Sequence, residues 1–438
     1  MKHDTHTDET RVREYTLPDP LRRNTGAIVR SAADWPPRRE EILEAFREHV
    51  YGRVPAFAYE TRVTAEERFA LEDHPATATQ RRVEIRSDHG SIGLDLLDVL
   101  PTDTDNDGTA GSARIHERPE GHRASCPVIL ALNFSGNHAV LDDRRVWLSR
   151  AWIDSFFPGV VDNRATEAGR GAGRDRWPID MIVGAGFGVA TVACGDLDPD
   201  FDDGFANGVH GLAGLPPTAQ RRDKPGSSGI TSDSGRPPDA WGTIAGWAWG
   251  LSRILDVLLA DPRIDPDRII VLGHSRMGKT ALWAAAQDER FAGAISNESG
   301  CGGAALTRRE FGETIGAITS KFPHWFCPRF AEYASRADAL PVDQHMLLGL
   351  LAPRPLYVAS AADDLWADPK GEYLSVYHAA PVYRLFGYGT VTVPEPPPVG
   401  THVGNRISYH CRSGGHDITR FDWERYLRFL RRELEVTR

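Results

Sequence analysis

The chain returns five times to short, mostly apolar runs: "CPVILALNF" (126–134), "FGVATVAC" (187–194), "RIIVLG" (268–273), "FAGAISN" (291–297) and "PLYVAS" (355–360). Runs with helical spacing lie among them, including "AWGTIAGWAWGLSRILDVLLA" (240–260) and "KTALWAAAQ" (279–287). A strand that is apolar on both sides needs cover on both sides, and alternation with helices supplies it. The pattern therefore predicts an α/β fold, with a mainly parallel central sheet and helices on both faces. In such sheets, sites form beyond the carboxyl ends of the strands.

Flanking segments extend this core. "RREEILEAFREHVYG" (38–52) places Ile42, Leu43, Phe46 and Val50 at helical spacing, and "RRVEIRSDHGSIGLDLLDVLP" (81–101) reads as a β-hairpin. "NRISYHC" (405–411) reads as the last strand, and "RFDWERYLRFLRREL" (420–434) as a closing amphipathic helix. The stretch 102–125 reads as a polar loop. Residues 1–35 read as an N-terminal arm. Residues 36–438 read as one catalytic domain, with insertions near 138–180 and 213–238. The first insertion carries Trp147, Trp152, Phe156 and Phe157. It fits a small packed subdomain or a wall of a substrate cleft.

Composition removes several functional classes. The 51 basic and 61 acidic residues leave a net charge of −10, against nucleic-acid binding and loose attachment to anionic membranes. No apolar run reaches membrane-spanning length. The opening residues lack a secretory h-region, which points to the cytoplasm, or to a secreted protein had a leader been removed. Five irregularly spaced cysteines form neither a disulfide framework nor a zinc pattern, so free thiols are expected. The acidic "DLDPDFDDG" lacks calcium-loop spacing and reads as a loop capping strands.

The strand 268–273 runs into Gly273-His274-Ser275-Arg276-Met277-Gly278 and then a helix. A serine on such a turn projects its hydroxyl clear of the sheet, at a helix N-terminus that favours developing negative charge. The usual pattern is G-x-S-x-G, and here the second glycine comes one residue late. Hydrolases on this sheet order their triad as serine, acid, histidine. Asp363 and Asp364 follow the strand 355–360, and Glu298 ends the strand 291–297. His416 follows Gly414-Gly415 before the closing helix. His345 reads as packed in a helix and His410 as part of a strand. His138, His324 and His402 read as loop residues in the wrong order or context. The order selects Ser275 and His416 and leaves the acid open.

In order along the chain, "GHSRMGK", "NESGCGGAAL", "FGET", "FPHWFC", "LPVDQHMLL", "LAPRPLYVASAADDLWADP" and "SGGHD" resemble the bacterial form of the glucuronoyl esterases, carbohydrate esterase family 15. The similarity runs from about 127 to 430 and includes "CGDLDPDFDDGFANGVHGL" (194–212). It implies an α/β-hydrolase three-layer sandwich with no cofactor and no metal. It also implies a serine esterase of the 4-O-methyl-glucuronoyl methylesterase type, acting on the ester between 4-O-methyl-D-glucuronic acid of xylan and lignin-type alcohols. Ser275 is then nucleophile and His416 base. The acid is Glu298, 23 residues past the serine as in fungal members, or Asp364 as in many bacterial ones. Arg276 supplies the oxyanion site through its backbone N–H and side chain. Lys279, Glu313 and Trp366 bind the sugar.

Without the resemblance, Lys279 reads as a solvated helix lysine, Glu313 as a surface helix charge and Trp366 as core. The fungal disulfide beside the serine is absent, with His274 in its place. Two other readings stand beside the main one. An acetyl-xylan or small-ester esterase on the same scaffold would turn over acetyl esters without a uronate. A non-catalytic carbohydrate-binding protein would show a damaged triad. The expected partner is a glucuronate ester or a glucuronoxylan-derived substrate, and the oligomeric state is left open.

Overall fold

The computed structural model describes residues 5–102, 125–214, 236–389 and 391–435. The loop read at 102–125 and the excursion at 213–238 fall, apart from their flanks, outside the described residues. The strands in chain order are β1 Glu60–Ala70, β2 Ala76–Ser87, β3 Gly90–Pro101, β4 Cys126–Asn133, β5 Val160–Val161, β6 Arg164–Ala165, β7 Gly188–Ala193, β8 Ile264–His274, β9 Gly293–Asn297, β10 Leu356–Ala361, β11 His402–Gly404 and β12 Ile407–Arg412. The helices are α1 Trp35–Phe46, α2 Asn137–Val140, α3 Ile179–Gly184, α4 Cys194–Leu197, α5 Thr243–Leu259, α6 Arg276–Gln287, α7 Ile315–Lys321, α8 Gln344–Gly349, α9 Pro369–Arg384 and α10 Arg420–Glu435.

Ten strands form one sheet in the order β1-β2-β3-β7-β4-β8-β9-β10-β12-β11. Strands β7 to β12 in that order run parallel, while β1, β2 and β3 extend one edge antiparallel and β11 closes the other. The apolar runs divide by strict alternation. Val128, Leu130, Ile269, Val271, Leu356 and Val358 face a core shared with α1, α5, α6, α8 and α9. Ile129, Ala131, Ile270, Leu272, Tyr357 and Ala359 face a second core under α3 and α10. Period-2 alternation of side chains is what lets one apolar run fill two layers. The result is the α/β-hydrolase sandwich.

Register levels the carboxyl ends of the parallel strands. His274 pairs with Asn297, Asn297 with Ala359, and Ala361 with Arg412. The loops that follow β8, β9, β10 and β12 therefore leave the sheet side by side.

One strand escapes the sequence reading, and two readings need correction. Strand β1 has no apolar alternation: its side chains are almost all exposed, and backbone pairing with β2 defines it. An exposed, charged strand is typical of a sheet edge and leaves no hydrophobic signal. His138 lies in the short helix α2, and His402 lies in β11. The segment 138–180 sends Val140, Leu141, Val146 and Ile179 into the second core, its Ala151, Ile153 and Ala165 cluster with Ala193 of β7, and its Phe157 stacks on Phe134 at 5.8 Å. Cys194, Cys301, Cys327 and Cys411 are buried free thiols. Among the described residues, no helix is long and apolar enough to cross a membrane.

A buried ionic knot ties the antiparallel edge to the parallel core. Arg81 on β2 pairs with Asp98 on β3, with Glu66 on β1 (2.8 Å) and with Asp261 before β8 (2.6 Å). Burial pushes the Asp98 carboxyl up to about 6, even with Arg81 and Arg263 beside it. Removing one partner of a buried pair strands the other charge. Arg81→Met is expected to cost about 3 kcal/mol at neutral pH. The loss should shrink near pH 5, where Asp98 gains a proton and sheds its charge. Urea unfolding at the two pH values checks this, and an equal loss at both would contradict it.

Candidate active site

Ser275 stands between β8 and α6 at φ 57° and ψ −129°, a left-handed conformation rare for a residue with a side chain. Such strain costs about 1–3 kcal/mol and persists only where the surroundings enforce it. Here the Ser275 N–H donates to the Asn297 carbonyl at 2.9 Å, and the Ser275 carbonyl accepts from Gly278 N–H at 2.8 Å. A Cβ on Gly273 would lie 1.9 Å from the Met277 carbonyl oxygen, so the turn closes only with glycine there. A Cβ on Gly278 would meet Ser299 Cβ at 2.9 Å and the Gly273 oxygen at 3.1 Å. The glycine that looks one residue late in the sequence sits where the first helical turn presses on the strand.

His416 arrives on the loop between β12 and α10. Its ring lies 4.6 Å from that of His274, the residue before the serine. His274 is buried, and its Nδ1 meets Asn297 Oδ1 at 2.5 Å. Burial and the neighbouring His416 hold its pKa well below the ordinary histidine value, so it stays neutral. His416 Nδ1 faces both candidate acids, at 2.6 Å from Asp364 Oδ2 and 3.2 Å from Glu298 Oε2. Burial pulls its pKa down, but the bonds and charges of the two carboxylates outweigh this and raise it to about 9. Among the described residues, these three also form the one cluster tight enough to hold a metal ion. The nitrogen a metal would need is the one already bonded to Asp364.

The two acids are held differently. Glu298 is buried, at φ 47°, and its oxygens are committed: Oε1 accepts from Arg412 at 2.7 Å and Oε2 from Asp417 N–H at 3.0 Å. Burial pushes its pKa up to about 7, despite His416 and Arg412. Asp364 follows β10, its backbone fixed by an N–H bond to the Ala361 carbonyl. Behind both lies Glu372 of α9, fully buried. It accepts from Ser299 N–H (2.8 Å), Gly300 N–H (3.0 Å) and Ser360 Oγ (2.5 Å), and burial lifts its pKa to about 8.

Arg276 begins α6 with its guanidinium 2.5 Å from Asp200 Oδ2 and 4.6 Å from the Phe134 ring centre. Asp200 also accepts from Trp325 Nε1 at 2.7 Å and faces His324 Nε2 at 3.2 Å. Burial alone would raise its pKa, but these partners hold it below the usual carboxylate range. Asp200 lies just after α4, within the acidic "DLDPDFDDG".

Lys279 is buried, with its ammonium bonded to the Ser299 and Cys301 carbonyls and 3.8 Å from Glu313. Glu313 lies outside any helix, and its N–H donates to the Trp366 carbonyl at 2.9 Å. Trp366 is 47% exposed, which excludes a core role. The fold thus gathers Lys279, Glu313 and Trp366 into one wall, next to the loop that carries Asp364. A strained hydroxyl, an imidazole between carboxylates and a fixed guanidinium at a helix N-terminus are the parts needed for acyl transfer through a covalent intermediate. Asp200, Arg412 and Glu372 were missed in the sequence. A charged residue inside the inward face of α9 is a signal for Glu372, and an arginine inside a buried strand is one for Arg412.

A family model described as "Glucuronyl esterase, fungi" matches residues 237–387. The chain is 41% identical over 424 residues to a carbohydrate esterase, MZ0003, of an unknown prokaryotic organism, covering 96% of this chain and 90% of that one. The structure of a promiscuous CE15 esterase from the marine bacterial metagenome superposes with a TM-score of 0.82 at 40% identity, covering 98% of this chain and all of that one (100%). A glucuronoyl esterase from Solibacter usitatus gives 0.80 at 39%, covering 97% and 99%. The chain belongs to carbohydrate esterase family 15, the glucuronoyl esterases, and is a carboxylic ester hydrolase.

Proposed function

We propose that the substrate is an ester of 4-O-methyl-D-glucuronic acid, cleaved by Ser275 and His416 with Asp364 as the main acid. The observation that carries this is the placement of His416 Nδ1, 2.6 Å from Asp364, with the ring beside the strained elbow. His416 takes the proton from Ser275 Oγ as the oxygen attacks the ester carbonyl. The alcohol leaves with that proton, and water then attacks the acyl-enzyme through the same base. The N–H and guanidinium of Arg276 receive the oxyanion. Glu298 is the second carboxylate, bound to Arg412 and adding negative charge beside the imidazolium. Trp366 offers an indole face to the pyranose, while Glu313, braced by Lys279, meets its hydroxyls. A broader ester range is the second reading, supported by the neighbouring structure described as a promiscuous esterase.

Hydrolysis of benzyl D-glucuronate, compared with acetylated xylan and a plain acetyl ester, tests the assignment. Preference for the glucuronate is expected, with Ser275→Ala losing roughly 10⁴-fold or more in kcat. Preference for the acetyl esters would keep the nucleophile and overturn the uronate reading.

The pH dependence follows from the carboxylates. They stabilise the imidazolium, so the neutral base appears only as pH rises through a pKa raised toward about 9. Asp364→Asn removes the nearer charge. It should move the acid limb of kcat/KM to lower pH while reducing kcat, and Glu298→Gln should do both less. Asp200→Ala should free the Arg276 side chain and lower kcat about 10²-fold, with KM little changed. Steady-state kinetics across pH measure all three.

A further inference from the structure

We infer that the N-terminal strap, residues 6–18, is a positioning element for the Trp366 wall, acting through Glu9, Arg309 and Asp368. The inference rests on the reading of that wall as the sugar site.

Val12, Tyr15, Leu17 and Pro18 are only half-buried, so apolar packing alone does not fix the strap. A few polar contacts add to it, and most converge on the wall. The His6 carbonyl accepts from Gly312 N–H at 2.8 Å, and the next amide, Glu313 N–H, donates to the Trp366 carbonyl at 2.9 Å. The Phe311–Gly312–Glu313 backbone is thus stitched to the strap on one side and to the tryptophan on the other. The contact is close, since a Cβ on Gly312 would lie 2.5 Å from the Leu365 oxygen and 2.6 Å from that of Trp366.

A second line runs through charge. Glu9 meets Arg309 at 2.5 Å and Lys370 at 2.8 Å. The buried Arg309 also bonds Asp368 at 2.8 Å. Asp368 stands at φ 54°, two residues after Trp366, and caps α9 by accepting from Gly371 N–H. One carboxylate of the strap therefore grips the chain just after the tryptophan twice, through Arg309 to Asp368 and directly at Lys370. Farther along, the Pro18 carbonyl meets His345 Nε2 at 2.9 Å.

Because Trp366 is half-exposed, its backbone governs where the ring stands. Partly exposed ion pairs are individually weak, so the strap exchanges between seated and lifted states. A sugar that uses the wall binds the seated state and shifts the population toward it. Loosening the strap should then weaken binding of the uronate and leave the chemistry at Ser275 intact.

The test compares wild type, Glu9→Gln and Trp366→Ala on benzyl D-glucuronate and on a small acetyl ester that lacks the sugar. Glu9→Gln is expected to raise KM for the glucuronate about three- to tenfold with kcat unchanged, and to leave the acetyl ester unaffected. The glucuronate ester is neutral, so added salt acts on the strap rather than on the substrate. Salt should raise KM in wild type and much less in Glu9→Gln. Unchanged KM in Glu9→Gln, with a raised KM in Trp366→Ala, would overturn the inference and keep the wall. Equal losses on both esters would mark the strap as merely structural and also overturn it. Unchanged KM in Trp366→Ala would overturn the reading of the wall itself, and this inference with it.

Discussion

A guanidinium under the histidine loop makes the site possible. Arg412 leaves the end of β12 and bonds Glu298, Asp422 and the carbonyls of Ser413, Gly415 and Asp417. Two of these partners are fully buried carboxylates, which would be prohibitive without a cation. The carbonyls belong to the turn that carries His416. One side chain therefore stabilises Glu298 and shapes the loop that brings the imidazole to it. A chain of bonds continues below it, from Asp422 to His410 and from His410 to Tyr357, anchoring the loop in the second core.

The strand-end register explains why both acids reach one nitrogen. Loops after β9 and β10 start side by side, so a carboxylate on either arrives beside the histidine from β12. Their environments then separate them: Glu298 is tied to Arg412 and a backbone amide, while Asp364 makes the short contact with the ring. Sequence order could not choose between them, because both satisfy the same rule of an acid after a strand and before the histidine.

The parallel core was legible because each apolar run had to serve two layers. The elbow was legible because strand, serine and glycines stood in sequence. Local pattern failed where structure came from distance. Strand β1 has charged side chains on both faces and is defined by its neighbour. Asp200 and Arg276 meet across 76 residues of chain, and neither carries a local mark of the other. Trp366 and Glu313 read as core and surface on composition alone, yet the fold half-exposes the tryptophan and draws the glutamate in beside Lys279. Only the family resemblance assigned them to a site.

The contact between Glu9 and Arg309 spans 300 residues. At about 5–20 residues per second, the first partner leaves the ribosome roughly 15–60 s before the second. For that interval the strap has nothing to fold onto. Its mainly polar sequence suits it to wait in water as open chain. One wall of the site is thus completed only when a segment made early meets segments made much later.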